Sequence, residues 1–278
     1  MTEAQASNSP RVQVRARMDA KVASGSPVLL CGAPNGQIAK AAASAGADAV
    51  MVYNVAAFRS QGHSSLLGYL PYGDANGITQ GLAAAVLPAC GKTPLIAGVG
   101  AADPLRSHGE IIQHLLEVGV SGVVNTPTAG VYDGDFRREL ESQGIGYARE
   151  VEFMRAAADA GLFTVAYAFC PDDARQLADA GTDMVVVHLG TTGAGSGGLD
   201  GAVARTEEIA GAVAGSNALV VLHGGPLEDP GSVAYVLERT ATVGFLAGSG
   251  IDRIPVVKAV QNAVSEFTAL RLRTAGAR

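Results

Sequence analysis

Short apolar runs rich in Val, Ile and Leu recur at fairly even spacing along the chain and predict buried strands. The runs lack the polar alternation of a half-exposed strand, which is typical of strands buried on both faces of a parallel sheet. The runs number eight and lie at residues 27–31, 48–53, 94–99, 122–125, 163–167, 183–188, 219–223 and 243–247. Between them are helix-compatible segments at 110–118, 150–160, 171–180, 202–214 and 230–240.

The same glycine signal precedes half of these strands. Gly46, Gly119, Gly161 and Gly181 each stand shortly before an apolar run and after a helical pattern. A helix ends most easily with Gly in the left-handed conformation, after which the chain turns directly into a strand. The recurrence of this signal indicates an internal repeat of one helix-to-strand unit.

Eight strand–helix units in about 250 residues predict an α/β fold, the (β/α)₈ TIM barrel. We assign residues 26–278 to one barrel domain and residues 1–25 to an N-terminal extra helix, in which Val14, Met18 and Val22 are spaced to line one face over the barrel floor. The alternative is a doubly wound open sheet. That fold usually shows GxGxxG after its first strand, where this chain reads CGAPNG.

Composition narrows the class of protein further. Hydrophobic residues make up 48% of the 278 residues and charged residues 17%, which excludes a disordered chain. The net charge of −6 is scattered without a basic run, so we expect neither nucleic acid nor a membrane as a partner. The N-terminus lacks a signal-peptide pattern, and the three cysteines show no metal or CxxC spacing. We therefore expect a cytoplasmic protein.

Two histidines follow strands directly and are the predicted catalytic groups. His188 and His223 each end a run dominated by Val and Leu. A barrel of this kind carries its active site at the carboxyl ends of its strands, and histidine suits proton transfer or polarisation of a carbonyl. The alternative is a buried histidine bonded to a backbone carbonyl.

Other polar or small residues at strand ends are predicted to bind a small anionic substrate. Glycines after the seventh and eighth strands occupy the usual phosphate-binding location of this fold, although tight turns would also explain them. The predicted binding residues are Tyr53, Asn54, Asn125, Tyr167, Gly224, Gly225, Gly248 and Ser249.

Long connections follow the second, fourth and sixth strands. The first, residues 59–76, contains Asp74, a further predicted binding residue. The second leads to Glu150 and Glu152, either of which we predict as a general base at the barrel mouth; an acid at a helix start also merely offsets the dipole. Residues 193–198 are a candidate lid or a solvated loop. Loops this long are functional or form a subunit interface.

Several motifs are similar to those of the phosphoenolpyruvate hydrolase-like predicted TIM-barrel enzymes, a domain also found at the C-terminus of Tm-1-like proteins. They are LPYGDAN at 70–76, NTPTAG at 125–130, GIGY at 144–147 with the EVE of 150–152, and HGGP at 223–226. The resemblance covers about residues 26–265. It implies a (β/α)₈ fold, kinship with the phosphoenolpyruvate mutase and isocitrate lyase superfamily, and assembly as a homo-oligomer.

The resemblance also implies Mg²⁺, which that superfamily holds with acids at its strand ends. The ligand set is incomplete in this chain, so no cofactor is assigned with certainty. Only Asp103 is an acid near these positions, because strands two, four and six end in Asn54, Asn125 and His188. Ala57 and His63 also stand where family members tend to carry arginines. Loss of a fixed cation argues against a phosphorylated or doubly charged substrate.

Two hypotheses follow from these residues. The first is an enzyme, a lyase or hydrolase, that makes or breaks a C–C or C–O bond next to a carbonyl in a small oxo-acid or related anion. The second is a non-catalytic ligand-binding or protein-interaction barrel, in which the apolar segment at residues 66–70 contacts a partner.

Overall fold

Eight parallel strands close into a barrel in chain order, in a computed structural model that describes residues 8–191 and 197–272. The predicted (β/α)₈ fold is confirmed. Each strand pairs in parallel with its neighbours, and β1 pairs with β8 to close the ring. The strands are β1 Val28–Gly32, β2 Ala49–Val52, β3 Leu95–Gly98, β4 Gly122–Val124, β5 Phe163–Ala168, β6 Met184–His188, β7 Leu219–His223 and β8 Gly244–Ala247.

Helices surround the barrel and connect its strands. They are α1 Pro10–Ala23, α2 Gly36–Ser44, α3 Asn54–Ser60, α4 Ala75–Val86, α5 His108–Val118, α6 Gly134–Ser142, α7 Tyr147–Asp159, α8 Pro171–Asp179, α9 Gly198–Gly211, α10 Pro230–Leu237, α11 Ser249–Asp252 and α12 Ile254–Thr268. Short 3₁₀ turns lie at Ser65–Tyr69, Leu87–Ala89 and Ala129–Val131. Within residues 8–191 and 197–272, none of the helices has the length and apolar character that crossing a bilayer requires.

The glycine signal before the strands has the predicted conformation. Gly46, Gly119, Gly161 and Gly181 have φ values of 96°, 94°, 89° and 77°. All four lie in the left-handed region, which glycine enters without the steric cost that a Cβ atom imposes. The repeated sequence signal therefore corresponds to a repeated turn from helix into strand.

The interior of the barrel is a packed core rather than a pore. Leu30, Met51, Ile96, Phe163 and Met184 point into it and are fully buried. Branched and bulky side chains fill such barrels in layers, so polar groups are left for the two ends. The pairing register places His188 directly opposite His223 at the carboxyl ends of β6 and β7.

Helix α1 closes the amino-terminal end of the barrel. Val14 and Met18 are buried against the interior cluster, and Val22 packs beside them. Arg11 anchors the helix: its Nε donates to the Asp183 carboxylate at 2.9 Å. Asp183 also accepts a hydrogen bond from the Thr164 hydroxyl at the start of β5. The open end of the barrel is therefore its carboxyl-terminal end, where the strands finish.

Helix α12 leaves most of its apolar side chains exposed. None of its residues is buried, and its apolar Val260, Val264 and Phe267 are 59%, 54% and 74% exposed. The outward side chains of the nearby strands, Leu29 of β1 and Phe245 of β8, are only half-buried. In the described chain, this sector of the outer barrel surface is thus incompletely covered.

Candidate active site at the barrel mouth

A small cavity lies at the carboxyl ends of the strands. It measures about 40 Å³, which is room for about three water molecules. Predicted residues from β5, β6, β7 and the segments after β2 and β8 lie together in its wall. The lining residues are Tyr53, Val55, Arg59, Ser65, Tyr69, Thr126, Tyr167, His188, Thr191, His223, Gly248 and Ser249.

His188 lies in an aromatic wall and is held as a neutral imidazole. Its ring centroid is 5.3 Å from that of Tyr167 and 4.6 Å from that of Phe169. Burial lowers the pKa of His188 well below its ordinary value, and His223 lowers it further. The backbone N–H of Gly190 donates to Nδ1 at 3.2 Å. Because Nδ1 accepts, the proton of the neutral ring sits on Nε2, which is a hydrogen-bond donor.

His223 is held in the opposite tautomer. Its Nδ1 lies 2.8 Å from the Leu246 carbonyl oxygen, which can only accept, so Nδ1 carries the proton. Burial lowers the pKa of His223 to about 4, and Nε2 is therefore an unprotonated acceptor at neutral pH. The two imidazole centroids are 5.1 Å apart. The mouth thus holds one neutral donor beside one neutral acceptor.

Arg59 supplies a buried guanidinium at the same cavity. Its Nε donates to Asp252 Oδ1 at 3.0 Å, and Nη2 contacts Asp252 Oδ2 and donates to the Tyr53 hydroxyl at 3.0 Å. The side chains of Arg59 and Asp252 are 5% and 0% exposed. Burial raises the pKa of Tyr53 to about 12, so its phenol stays neutral.

The sequence interpretation missed both members of this ion pair. Ala57 and His63 suggested that no fixed cation follows β2, and that inference was wrong because Arg59 fills the role from helix α3. A signal was available: Arg59 is the single Arg or Lys in the long connection of residues 59–76. The sequence signal for Asp252 was weaker: it lies three residues after Ser249, which was predicted to bind substrate.

Glu150 is buried, but it does not line the mouth cavity. Its carboxylate accepts hydrogen bonds from Asn125 Nδ2 at 2.7 Å, the Thr128 hydroxyl at 2.6 Å and the Ala129 N–H at 2.5 Å. Burial outweighs these donors and raises the pKa of Glu150 to about 8. Glu150 therefore lies at the carboxyl end of β4, where it lines a second cleft of about 720 Å³ rather than the small mouth cavity in which it was predicted.

Asn125 connects this carboxyl to the wall of the cavity. It is fully buried, and its Oδ1 accepts from the backbone N–H of Tyr167 at 2.7 Å. The Tyr147 hydroxyl donates to the Tyr167 carbonyl at 2.5 Å. Asn125 was predicted to contact substrate, but its amide is used within the protein to position Tyr167.

Two further predicted acids lie away from the mouth. Asp74 caps helix α4 by accepting from the Gly77 N–H at 2.8 Å, and it pairs with Arg106 at a separate cleft of about 720 Å³. The carboxylate of Glu152 is 62% exposed and pairs with Arg149 on the surface of α7. Glu152 therefore has no geometric route to the mouth, and its predicted position was wrong.

The glycine pair after β7 forms a tight turn. The Gly225 N–H donates to the Gly190 carbonyl at 2.9 Å and is not available for an anion. Gly224 has a φ of 75°, and a Cβ atom there would lie 2.1 Å from the Gly190 oxygen. The predicted anion contact at Gly224 and Gly225 is thus replaced by packing of one backbone segment on another. Gly248 and Ser249 do line the cavity.

Asn54 also has an internal role. Its Nδ2 donates to the Gly68 carbonyl at 2.7 Å and ties α3 to the 3₁₀ turn at Ser65–Tyr69. The amide is buried and does not line the cavity, contrary to the prediction that it binds substrate. Of the candidate lid at residues 193–198, residues 193–196 lie outside the described part of the chain.

The donor set at the mouth does not fit a Mg²⁺ ion. Magnesium prefers carboxylate and water oxygens in octahedral geometry. Asp252 is held by the Arg59 guanidinium, and Asp103 accepts from Asn76 and Arg106 at 2.8 Å each. Among residues 8–191 and 197–272, no cluster of three His, Cys, Asp or Glu side chains is arranged to hold a metal.

The chain belongs to the phosphoenolpyruvate hydrolase-like family, whose model matches residues 13–270. A relative from Solanum lycopersicum, the ToMV resistance protein Tm-1(GCR237), is 39% identical over 271 residues. The match covers 94% of this chain and 36% of that protein, so the chain spans little more than a third of its relative's length.

Solved structures share the barrel at low sequence identity. Phosphonopyruvate hydrolase in complex with oxalate and Mg²⁺ is 16% identical, with a TM-score of 0.66 over 97% of this chain and 92% of that one. The 2,3-dimethylmalate lyase, a member of the phosphoenolpyruvate mutase/isocitrate lyase superfamily, is also 16% identical, with a TM-score of 0.63 over 96% and 92%. Both likenesses support the fold.

Proposed function

We propose that the protein is a lyase or hydrolase that acts next to the carbonyl of a small oxo-acid, with the mouth cavity as its active site. The observation that carries this proposal is the pair of opposite tautomers at His188 and His223. A neutral donor and a neutral acceptor side by side are what a reaction needs when a carbonyl gains negative charge as a hydroxyl or water loses a proton.

Each group has a role that follows from its free atoms. The Nη1 of Arg59 is the guanidinium nitrogen that Asp252 does not engage, and it binds the carboxylate of the substrate. His188 Nε2–H donates to the carbonyl oxygen and stabilises the charge that develops there. His223 Nε2 takes a proton from a hydroxyl, which becomes a carbonyl, or from water, which adds to the carbonyl. The adjacent C–C bond then breaks, and the leaving carbon keeps the electron pair and receives the proton from His223.

The low pKa of His223 suits this role once an anion is bound. A carboxylate in the cavity favours the imidazolium form and raises the pKa of both histidines from their depressed values. The base is thus available in its neutral form before binding and becomes stronger when substrate is present. Tyr167, positioned by Asn125, forms the wall against which both imidazoles pack.

The test is product detection by NMR with a panel of small 2-oxo-acids, with and without added Mg²⁺. With a substrate that turns over, His188→Ala and His223→Ala should each lower kcat by about 10²–10⁴-fold, the usual contribution of acid–base groups. His114→Ala on the exposed face of α5 is the matched control and should leave kcat unchanged. Loss of less than about tenfold in both mouth variants refutes the roles given to them.

A second candidate function is ligand binding or protein interaction without catalysis. It is favoured by the relative's name, a ToMV resistance protein, and by the exposed Leu66 and Leu70 in the connection after β2. Binding of an oxo-acid in calorimetry without conversion under any pH or metal condition would support it. Conversion of any member of the panel would exclude it.

We also propose that the chain assembles as a homo-oligomer through helix α12. The apolar face of that helix, with Val260, Val264 and Phe267, is exposed, while the outer surface at Leu29 and Phe245 is half-covered. A second copy of the chain can cover the exposed apolar face of α12 with its own barrel surface, and can cover the half-buried surface at Leu29 and Phe245 with its own helix. Burial of both faces removes a continuous apolar area from water.

A further inference from the structure

The charges around the mouth cavity nearly cancel. Arg59 is the cation that lines it within the described chain, and Asp252 lies directly behind Arg59 in a two-nitrogen contact. The two histidines are neutral, and burial raises the pKa of the tyrosines Tyr53 and Tyr167, which keeps them neutral. The site therefore presents one guanidinium already matched by one carboxylate.

The geometry of the guanidinium limits what it can bind. Asp252 takes the side formed by Nε and Nη2, and Nη2 also donates to the Tyr53 hydroxyl. The remaining nitrogen, Nη1, lies 3.5 Å from the Ser65 hydroxyl, a long and weak contact. Arg59 therefore has only Nη1 available for a ligand, and it cannot make the paired hydrogen bonds that a guanidinium forms through two nitrogens. One nitrogen suits one carboxylate oxygen and gives poor recognition of a phosphonate or phosphate.

Two other arginines line cavities beside the mouth rather than the mouth itself. Arg205 lines a neighbouring cavity and is engaged by Glu208 and the Phe169 carbonyl. Arg253 lines another adjoining cavity and is exposed to solvent. Among the described residues that line the mouth, a dianion would thus find no second cation for its second charge. The cost of an unpaired buried charge is high.

We propose that Asp252 sets the ligand charge, so that the mouth takes a small monocarboxylate carrying a 2-oxo or 2-hydroxy group and rejects dicarboxylates and phosphonates. This inference rests on the proposed function in that it takes the same cavity as the site. It adds a specificity-determining residue that contacts Arg59 rather than the ligand. Removal of the Asp252 charge leaves the Arg59 guanidinium without its carboxylate partner, so the site can then neutralise a second negative charge on the ligand.

The test compares glyoxylate with oxalate, two anions of similar size and different charge, by isothermal titration calorimetry. The buffer is kept at neutral pH and contains a chelator, so that no metal-bound oxalate contributes. Wild-type protein should bind glyoxylate at least about tenfold more tightly than oxalate. Asp252→Asn should shift that ratio toward oxalate by at least about tenfold. Asp19→Asn on α1, at the opposite end of the barrel, is the matched control and should change the ratio by less than about threefold, because that carboxylate is exposed and screened by solvent.

The outcomes separate this inference from the proposed function. Equal or tighter binding of oxalate by wild-type protein overturns the charge assignment and leaves the active site in place. Failure of both anions to bind overturns the site itself, and with it the proposed function. An unchanged ratio in Asp252→Asn, with the fold of the variant verified by circular dichroism and thermal unfolding, overturns the role given to Asp252. The wild-type ratio tests the charge of the ligand independently of that variant.

Discussion

Replacement of Glu150 by Gln provides a quantitative test of how the loop after β4 is held. In the folded protein, burial raises the pKa of Glu150 to about 8 from an ordinary value of 4.5. The folded state therefore binds a proton at this carboxyl more tightly than the unfolded state does. Stability from this group is fully present below about pH 4.5 and is lost as the pH rises through about 8.

The size of the effect follows from the pKa shift. Each pKa unit corresponds to about 1.4 kcal/mol, so the free energy of unfolding should fall by on the order of 5 kcal/mol between pH 4.5 and pH 8 relative to a variant that cannot ionise. Glu150→Gln removes the charge while it keeps an oxygen that accepts hydrogen bonds. The variant should approach or exceed the stability of the wild type at high pH.

Urea unfolding of both proteins at half-unit steps of pH measures this difference directly. Glu152→Gln is a matched control on the same helix, because Glu152 is exposed and its replacement should leave the pH dependence parallel to wild type. A difference between wild type and Glu150→Gln that stays constant with pH would refute the reasoning. A slope of the opposite sign would show that the donors from Asn125, Thr128 and Ala129 outweigh burial.

Two further predictions concern packing. Val260→Asp should convert the proposed homo-oligomer into smaller species, as measured by size-exclusion chromatography with light scattering. Asn262→Asp, on the opposite face of α12, should leave the mass unchanged. An unchanged mass for Val260→Asp would contradict assembly through this helix. Gly224→Ala should lower stability by at least about 2 kcal/mol, because it combines a φ of 75° with a Cβ placed 2.1 Å from the Gly190 oxygen. Gly81→Ala, in an open helical position of α4, should raise the free energy of unfolding by about 0.5–1 kcal/mol. Thermal or urea unfolding measures both variants, and equal effects of the two substitutions would contradict this account.

The barrel could be predicted because its signals are local. Each strand is a continuous apolar run, and each glycine such as Gly46 or Gly181 marks a turn that only its own few residues determine. Parallel topology then brings all strand ends to one face without further information. The positions of His188 and His223 followed from topology alone, and the structure places both in the wall of the mouth.

The remainder of the site depends on side-chain direction and on distant partners, which periodicity does not encode. Arg59 and Asp252 are 193 positions apart in sequence and meet only when the barrel closes. The Gly225 N–H is taken by the carbonyl of Gly190, a backbone contact that residue type does not reveal. Glu150 fits the predicted helix, yet its carboxyl binds the loop after β4 beside the mouth cavity rather than in its wall.

The tautomers of His188 and His223 are set by main-chain groups, the N–H of Gly190 and the carbonyl of Leu246. A substitution at Leu246 changes a side chain and leaves its carbonyl where it is. The donor–acceptor arrangement is therefore robust to most point mutations around it and sensitive to insertions or deletions that shift the strand register. Side chains around the two rings can therefore be exchanged without moving the groups that set the tautomers.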